Sequence, residues 1–193
     1  MKRLRETRDE NEAGFTLPEL LIYCILLAIV MTIIGSMLIS SLRTERTVDR
    51  VVSASTTAQL AIKSIQYGVR NASAHVLPPL TNGNQLLLAR VAKPDLLDLE
   101  WSCRAWYFDR SKGEIRYRES DLPIAEPSAT ELEDWTLLAA RVTAKSGTTI
   151  FGTSGSQEVT VGFTVATGGD DPPVDIKTSV VRRVNTWEST GCF

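Results

Sequence analysis

Between Leu20 and Leu42 the chain carries no charged side chain, and leucine, isoleucine, valine and methionine fill most positions. At about 1.5 Å of rise per residue this run makes a helix roughly 35 Å long, enough to cross a hydrocarbon layer of about 30 Å with some tilt. The polarity then changes without a break. Val48, Val51, Val52, Ser55, Ala58, Ile62, Ile65 and Val69 follow a three-four spacing, while Arg43, Glu45, Arg46, Asp49, Arg50, Thr56 and Lys63 occupy other faces. That pattern extends the helix amphipathically to about Ala72. No proline interrupts positions 19 to 77, so the pattern predicts one helix of more than about 50 residues and roughly 80 Å. A coiled-coil stalk would need a sustained a/d heptad, which the Ala- and Ser-rich stripe lacks.

Pro78-Pro79 and the stretch from Thr81 to Asn84 predict a turn-rich loop after the helix, and the period then changes to two. Gln85 to Ala92 reads as a strand. Arg104 to Asp109 pairs naturally with Glu114 to Glu119 across the turn 110–113, with Ile115 and Tyr117 on one face and Arg116 and Arg118 on the other. Glu126 to Glu133 reads as a polar connection begun by a proline, with room for a helical turn. Trp135 to Val142, Val159 to Ala166 and Val174 to Val184 supply the later strands, separated by loops at 146–156 and 168–173. The class predicted is α+β.

Composition narrows the function. With 193 residues there is room for one ordinary domain besides the apolar run, and the net charge is -2. Residues 1–14 hold four basic and four acidic side chains, so the charge without them is unchanged. Nothing in that balance favours nucleic acid as the main partner. The lone His75 has no companions at metal-ligand spacing, and no nucleophile elbow, phosphate loop or paired metal ligands occur, so neither an enzyme nor a cofactor is expected.

The apolar run opens on Gly14-Phe15-Thr16-Leu17-Pro18-Glu19. Proline is tolerated in a first helical turn, where its missing N–H would be unpaired anyway. Glu19 is the anomaly, since a carboxylate inside the edge of a membrane span costs a few kcal/mol. Alone, it reads either as a side chain reaching into headgroups or as the mark of a partner. The stretch GFTLPELLIYCILLAIV, behind a short charged leader, resembles the processing and assembly signature of type IV prepilins and type II secretion pseudopilins.

The resemblance implies a pilin-like lollipop: a long N-terminal helix, half membrane-spanning and half amphipathic, packed on an antiparallel β-sheet head. It implies a cytoplasmic leader over residues 1–14, a transmembrane and filament-core half over 15–42, an amphipathic half over 43–73 and an exported head over 74–193. A prepilin peptidase would cut after Gly14 and methylate the new amine of Phe15. Glu19 matches the family glutamate, a counter-charge for that amine on its own helix or on an adjacent subunit. The expected partners are the peptidase, other pilin or pseudopilin subunits, the inner-membrane assembly platform and lipid. Arg43, Arg46 and Arg50 flank the far side of the run almost as densely as the leader flanks the near side. Charge alone therefore fixes orientation poorly, and the family topology decides it. The order of strands from Trp106 through Ile115–Arg118, Leu137–Val142 and Thr178–Arg183 looks like that of J-type minor pseudopilins and W-type minor pilins.

Several readings stay open at this level. Signal-peptidase cleavage near Ser36 to Ser41 competes with the prepilin site. Cys24 in the apolar run is most simply a small hydrophobe. Cys103 and Cys192 fall in the exported part, where they can pair, remain two thiols, or leave one shared with another subunit. A binding module for DNA or surfaces displayed on a pilus would use Arg116 and Arg118 with Trp106 and Tyr107, against the plainer reading of a solvated strand face. Asp170, Asp171 and Asp175 could hold calcium, against the plainer reading of a solvated acidic loop.

Overall fold

The computed structural model describes residues 16–80, 82–93, 100–145, 148–169, 171–183 and 191–193. Helix α1 spans Leu17–Arg70, and all the strands follow it, so the α+β class holds. The chain divides into two compact units, one ending at Arg46 and the other beginning at Thr47. The helix beyond Thr47 therefore belongs to the same unit as the sheets.

In the first unit no residue from Thr16 to Arg46 is buried. The helix starts where the Thr16 carbonyl accepts from the Leu20 N–H at 3.1 Å, with Pro18 and Glu19 in its first turn. Its hydroxyl groups turn back onto their own backbone: Ser36 Oγ donates to the Ile33 carbonyl at 2.8 Å, Thr44 Oγ1 to that of Ser40 at 3.1 Å, and Thr32 Oγ1 to that of Ala28. Such bonds satisfy these polar groups without water.

In the second unit the helix seats through Ala54, Ala58, Ala61, Ile62, Ile65, Gly68 and Val69. Val48 and Val52, expected on the buried stripe, are 51% and 56% exposed. The seat combines Ala54, Ala58, Ala61 and Gly68, which let the helix backbone approach the sheet, with Ile62, Ile65 and Val69, so burial does not follow apolar size alone. The helix ends at Arg70, and β1 (Ala72–Val76) begins almost at once, where the sequence suggested helix to about Ala72 and then loop.

Strands β1, β2 (Gln85–Ala92), β3 (Trp101–Asp109), β4 (Glu114–Ser120) and β5 (Thr136–Ala139) form an antiparallel meander in that spatial order. The β3–β4 hairpin is the expected one, with Cys103 opposite Ser120 and Asp109 opposite Glu114. Asp109 Oδ1 accepts from the Ser111 and Lys112 N–H groups in its turn, and Gly113 takes a φ of 63° that suits a residue without Cβ. The polar connection contains a short 3-10 helix, Glu131–Asp134.

Trp135 to Val142, read as one strand, is two. The chain leaves the first sheet at Ala139, turns through Arg141 at a φ of 57°, and enters the second as β6 (Val142–Thr143). A left-handed non-glycine residue has no signature in a hydrophobicity pattern. Strand β8 (Glu158–Val165) is the spine of this second sheet, with β9 (Val174–Val181) along one edge and β7 (Phe151–Ser154) and β6 along the other. Strand β7 lies inside the segment expected to be a Gly/Ser/Thr-rich loop, where Ile150 and Phe151 are buried in the core.

One hydrophobic cluster joins the helix seat to Leu87, Ala89, Val91, Trp106, Phe108 and Ile115 of the first sheet and to Val159, Val161, Phe163 and Val165 of the second. A second cluster covers the other face of the first sheet with Ile124, Leu132, Trp135 and Cys192 over Leu86, Leu88, Ala105 and Tyr107. Burial on both faces explains why β2 reads as a nearly continuous apolar run.

Candidate functional site

Seventeen large apolar side chains from Leu17 to Leu42 stand about half exposed or more. At roughly 1.5–3 kcal/mol for each such side chain fully withdrawn from water, covering this surface is worth on the order of tens of kcal/mol. Among the described residues α1 is the one helix long and apolar enough to cross a membrane. At its mouth Glu19 is exposed in the first turn, where the partial positive charge of the helix N-terminus favours a carboxylate. Gly14, Phe15 and the rest of residues 1–14 lie outside the described residues. Cys24 is exposed on the apolar run, as are Ala28 and Ser36, and a Cβ on Gly35 would meet nothing within 4 Å.

The four residues weighed as an alternative DNA-binding surface do not share one exposed face. Trp106 and Tyr107 are both buried, one against the helix and the other in the opposite cluster. Arg116 is spent internally: Nε pairs with Glu114 at 2.8 Å, and Nη1 donates to the carbonyls of Leu132, Glu133 and Trp135 at 3.1, 3.3 and 3.1 Å. It organises the 3-10 turn that covers the sheet, leaving Arg118 exposed. Alternation along β4 signalled an outward arginine row, but the covering turn was beyond what alternation encodes.

The two described aspartates of the acidic stretch are engaged by neighbouring side chains. Asp171 accepts from Thr47 Oγ1 at 3.2 Å and pairs with Arg50 at 3.3 Å, tying the loop before β9 to the helix. Asp175 accepts from Thr164 and faces Lys145 at 3.9 Å. Asp170 lies outside the described residues, among which no three His, Cys, Asp or Glu side chains gather as metal ligands. Cys103 and Cys192 are joined by a disulfide that fixes the C-terminal residues to the outer face of β3.

Trp106, singled out in the sequence only as a candidate nucleic-acid contact, builds the seat for the helix with Ser64 and Gly68, which the sequence did not single out. Trp106 is wholly enclosed, donates from Nε1 to Ser64 Oγ at 2.9 Å, and lies against Gly68. A Cβ on Gly68 would come within 2.2 Å of Trp106 Cη2, so only glycine fits. Beside the indole, Glu119 accepts from Tyr117 at 2.8 Å, Ser102 at 2.9 Å and Arg104 at 3.2 Å. Burial pushes the Glu119 carboxyl up, yet these donors and the Arg104 charge more than offset it and hold the group below the usual range. Burial and the adjacent carboxylate push the Tyr117 hydroxyl far up, so it stays a donor. A glycine at helical spacing before an aromatic strand is the only signal for this seat, and it does not say which aromatic will cover it.

No curated protein and no solved structure matches the chain. Residues 10–35 match the family model described as the prokaryotic N-terminal methylation motif. The matched segment contains Gly14, Phe15 and Glu19 and runs into the apolar helix. The chain thus carries a prepilin-type N-terminal motif on an apolar helix, which supports its placement with type IV pilins and pseudopilins.

Proposed function

We propose that the protein is a structural subunit of a type IV pilus or of a secretion or competence pseudopilus, processed by a prepilin peptidase and then assembled with other subunits. The observation that carries this reading is the N-terminal methylation motif leading into an exposed helical run, Leu20 to Leu42, without a charged side chain. In this reading residues 1–14 are a cytoplasmic leader and the peptidase cuts between Gly14 and Phe15. Residues 15–42 sit in the inner membrane, 43–73 continue the helix, and 74–193 are exported. Cleavage leaves an amine on Phe15, which the same enzyme methylates. A charged amine at the edge of lipid needs a counter-charge, and Glu19 of an adjacent subunit supplies it. Ion pairing in a low dielectric rewards one register between neighbouring helices and penalises a slip, so the pair sets assembly geometry as well as affinity.

The chemistry is packing and one ion pair, without catalysis. The apolar surface that lipid covers before assembly is covered by neighbouring helices afterwards, with Ala28, Gly35 and Ser36 allowing close approach. The order of strand-like segments in the sequence resembles that of J-type and W-type minor subunits, and on that resemblance we place the chain among minor subunits. Co-expression of the full chain with a prepilin peptidase, followed by N-terminal sequencing and mass spectrometry, tests the core of this reading. The expected product begins at Phe15 and carries one added methyl group. An intact Met1, or a terminus other than Phe15, overturns it.

A further inference from the structure

Strand β9 ends at Val181, and the next residue holds its place through its backbone N–H, which donates to the Gln157 carbonyl at 3.0 Å. That residue is Arg182, whose side chain turns inward until only 6% of the residue is exposed. Nη1 donates to the Ser73 carbonyl on β1, while Nε is buried without an acceptor. No carboxylate pairs with this guanidinium among the described residues. A buried cation answered by one carbonyl dipole is a costly state compared with a paired one. Two positions along β1, His75 presents a second unsatisfied atom, its buried Nδ1. Burial, and after it the Arg182 charge, lowers the basicity of this imidazole, so it stands neutral beside the guanidinium.

Both residues line one cleft of about 480 Å³, with the hydroxyl-bearing Thr153 and Ser156 on its wall and the apolar Val76, Leu77 and Phe193 around them. With Nη1 committed to Ser73, the Nε/Nη2 edge of the guanidinium remains, the edge that takes a carboxylate side-on through two parallel N–H donors. One positive charge with no counter-charge among the described residues matches one carboxylate, and the apolar wall suits the methylenes that carry it. We propose that Arg182 and His75 form a receiving site for a single carboxylate group. Its source is either the acidic side chain of another polypeptide or a small free carboxylate.

His75 is the one histidine of the chain, so its imidazole resonances report on the site without assignment. The full chain, ¹⁵N-labelled in detergent micelles, is titrated with sodium acetate and, separately, with a blocked alanyl-glutamyl-alanine peptide. Sodium chloride at equal ionic strength is the reference. The expected result is a saturable shift of the His75 resonances that chloride does not produce. Arg182→Lys keeps the charge but loses the fork and should weaken binding by about tenfold, whereas Arg182→Gln should abolish the shift. Circular dichroism checks that each variant is folded, and if Arg182→Gln is not, Arg182→Lys carries the comparison. Much tighter binding of the peptide than of acetate assigns the site to a partner's acidic side chain, and equal binding assigns it to a small solute. Resonances that move no further with either carboxylate than with chloride overturn the proposal, as do equal saturable shifts in the folded variants.

Discussion

Gly68→Ala sets two physical effects against each other at one position. In an exposed helix the substitution would stabilise the chain by about 1 kcal/mol through helix propensity. Here the new Cβ would stand 2.2 Å from Cη2 and 2.6 Å from Cζ2 of Trp106, against a normal carbon–carbon contact of about 3.5–4 Å. The indole has little room to retreat, being fully enclosed, held by Ser64 at Nε1, and packed on Tyr117 with ring centroids 5.6 Å apart. Overpacking of this kind costs about 1–3 kcal/mol, and tearing Nε1 from Ser64 would add about 1–2 kcal/mol. After subtracting the propensity gain, the net loss is about 1–4 kcal/mol. Urea unfolding of the full chain in detergent micelles, followed by near-UV circular dichroism, measures it. Repeating the substitution in a Trp106→Phe background isolates the contact, because the smaller ring leaves space for the methyl and the cost of the alanine should shrink by at least about 1 kcal/mol. A stabilised Gly68→Ala protein, or an equal cost in both backgrounds, would refute the reasoning.

Three further outcomes are expected. Cys192→Ser should lower the stability of the head, by up to about 4–5 kcal/mol on the chain-entropy account of a bridge closing 89 residues, and reductant should reproduce the loss in the wild type but add nothing to the variant. Because burial first, and Arg182 second, depress the His75 pKa from 6.5, the unfolded chain takes up the proton sooner than the folded one. Stability should therefore be fully present above about pH 6.5 and fall on acidification below it. Melting temperatures at pH 7.5 and 5.5 measure the slope, and His75→Gln should flatten the histidine part of it. Glu19→Ala should be cleaved and methylated normally while entering filaments poorly, and normal incorporation on immunoblots of sheared filaments would remove the ion-pair role.

The organisation of the chain was legible wherever one local rule governed a stretch. Periodicity gave the long helix to within two residues of its end and placed β2 and the β3–β4 hairpin, because alternation and a Gly-terminated turn act over neighbouring residues. It failed at β7, at the break after Ala139 and at Val48 and Val52. Those choices were made by the partner strand, by a left-handed Arg141 and by the rotation of the helix on its seat. Trp106, Tyr107 and Arg116, which suggested a nucleic-acid surface, were drawn inward for the same reason while Arg118 stayed exposed: alternation says which residues share a face, and only packing says whether that face is covered.

The sequence by itself determined the membrane-length apolar run and the Gly14–Glu19 motif at its start, since hydropathy and a contiguous recognition segment are written along the chain and need no fold to be read. The tertiary structure decided what is assembled from distant positions. It set Gly68 beneath Trp106, tied Asp171 to Thr47 and Arg50, joined Cys103 to Cys192, and left Arg182 buried beside His75. Each of these is a close approach between residues some 35 or more positions apart, and such distances are fixed by how helix and sheets pack rather than by any pattern a neighbouring residue can carry.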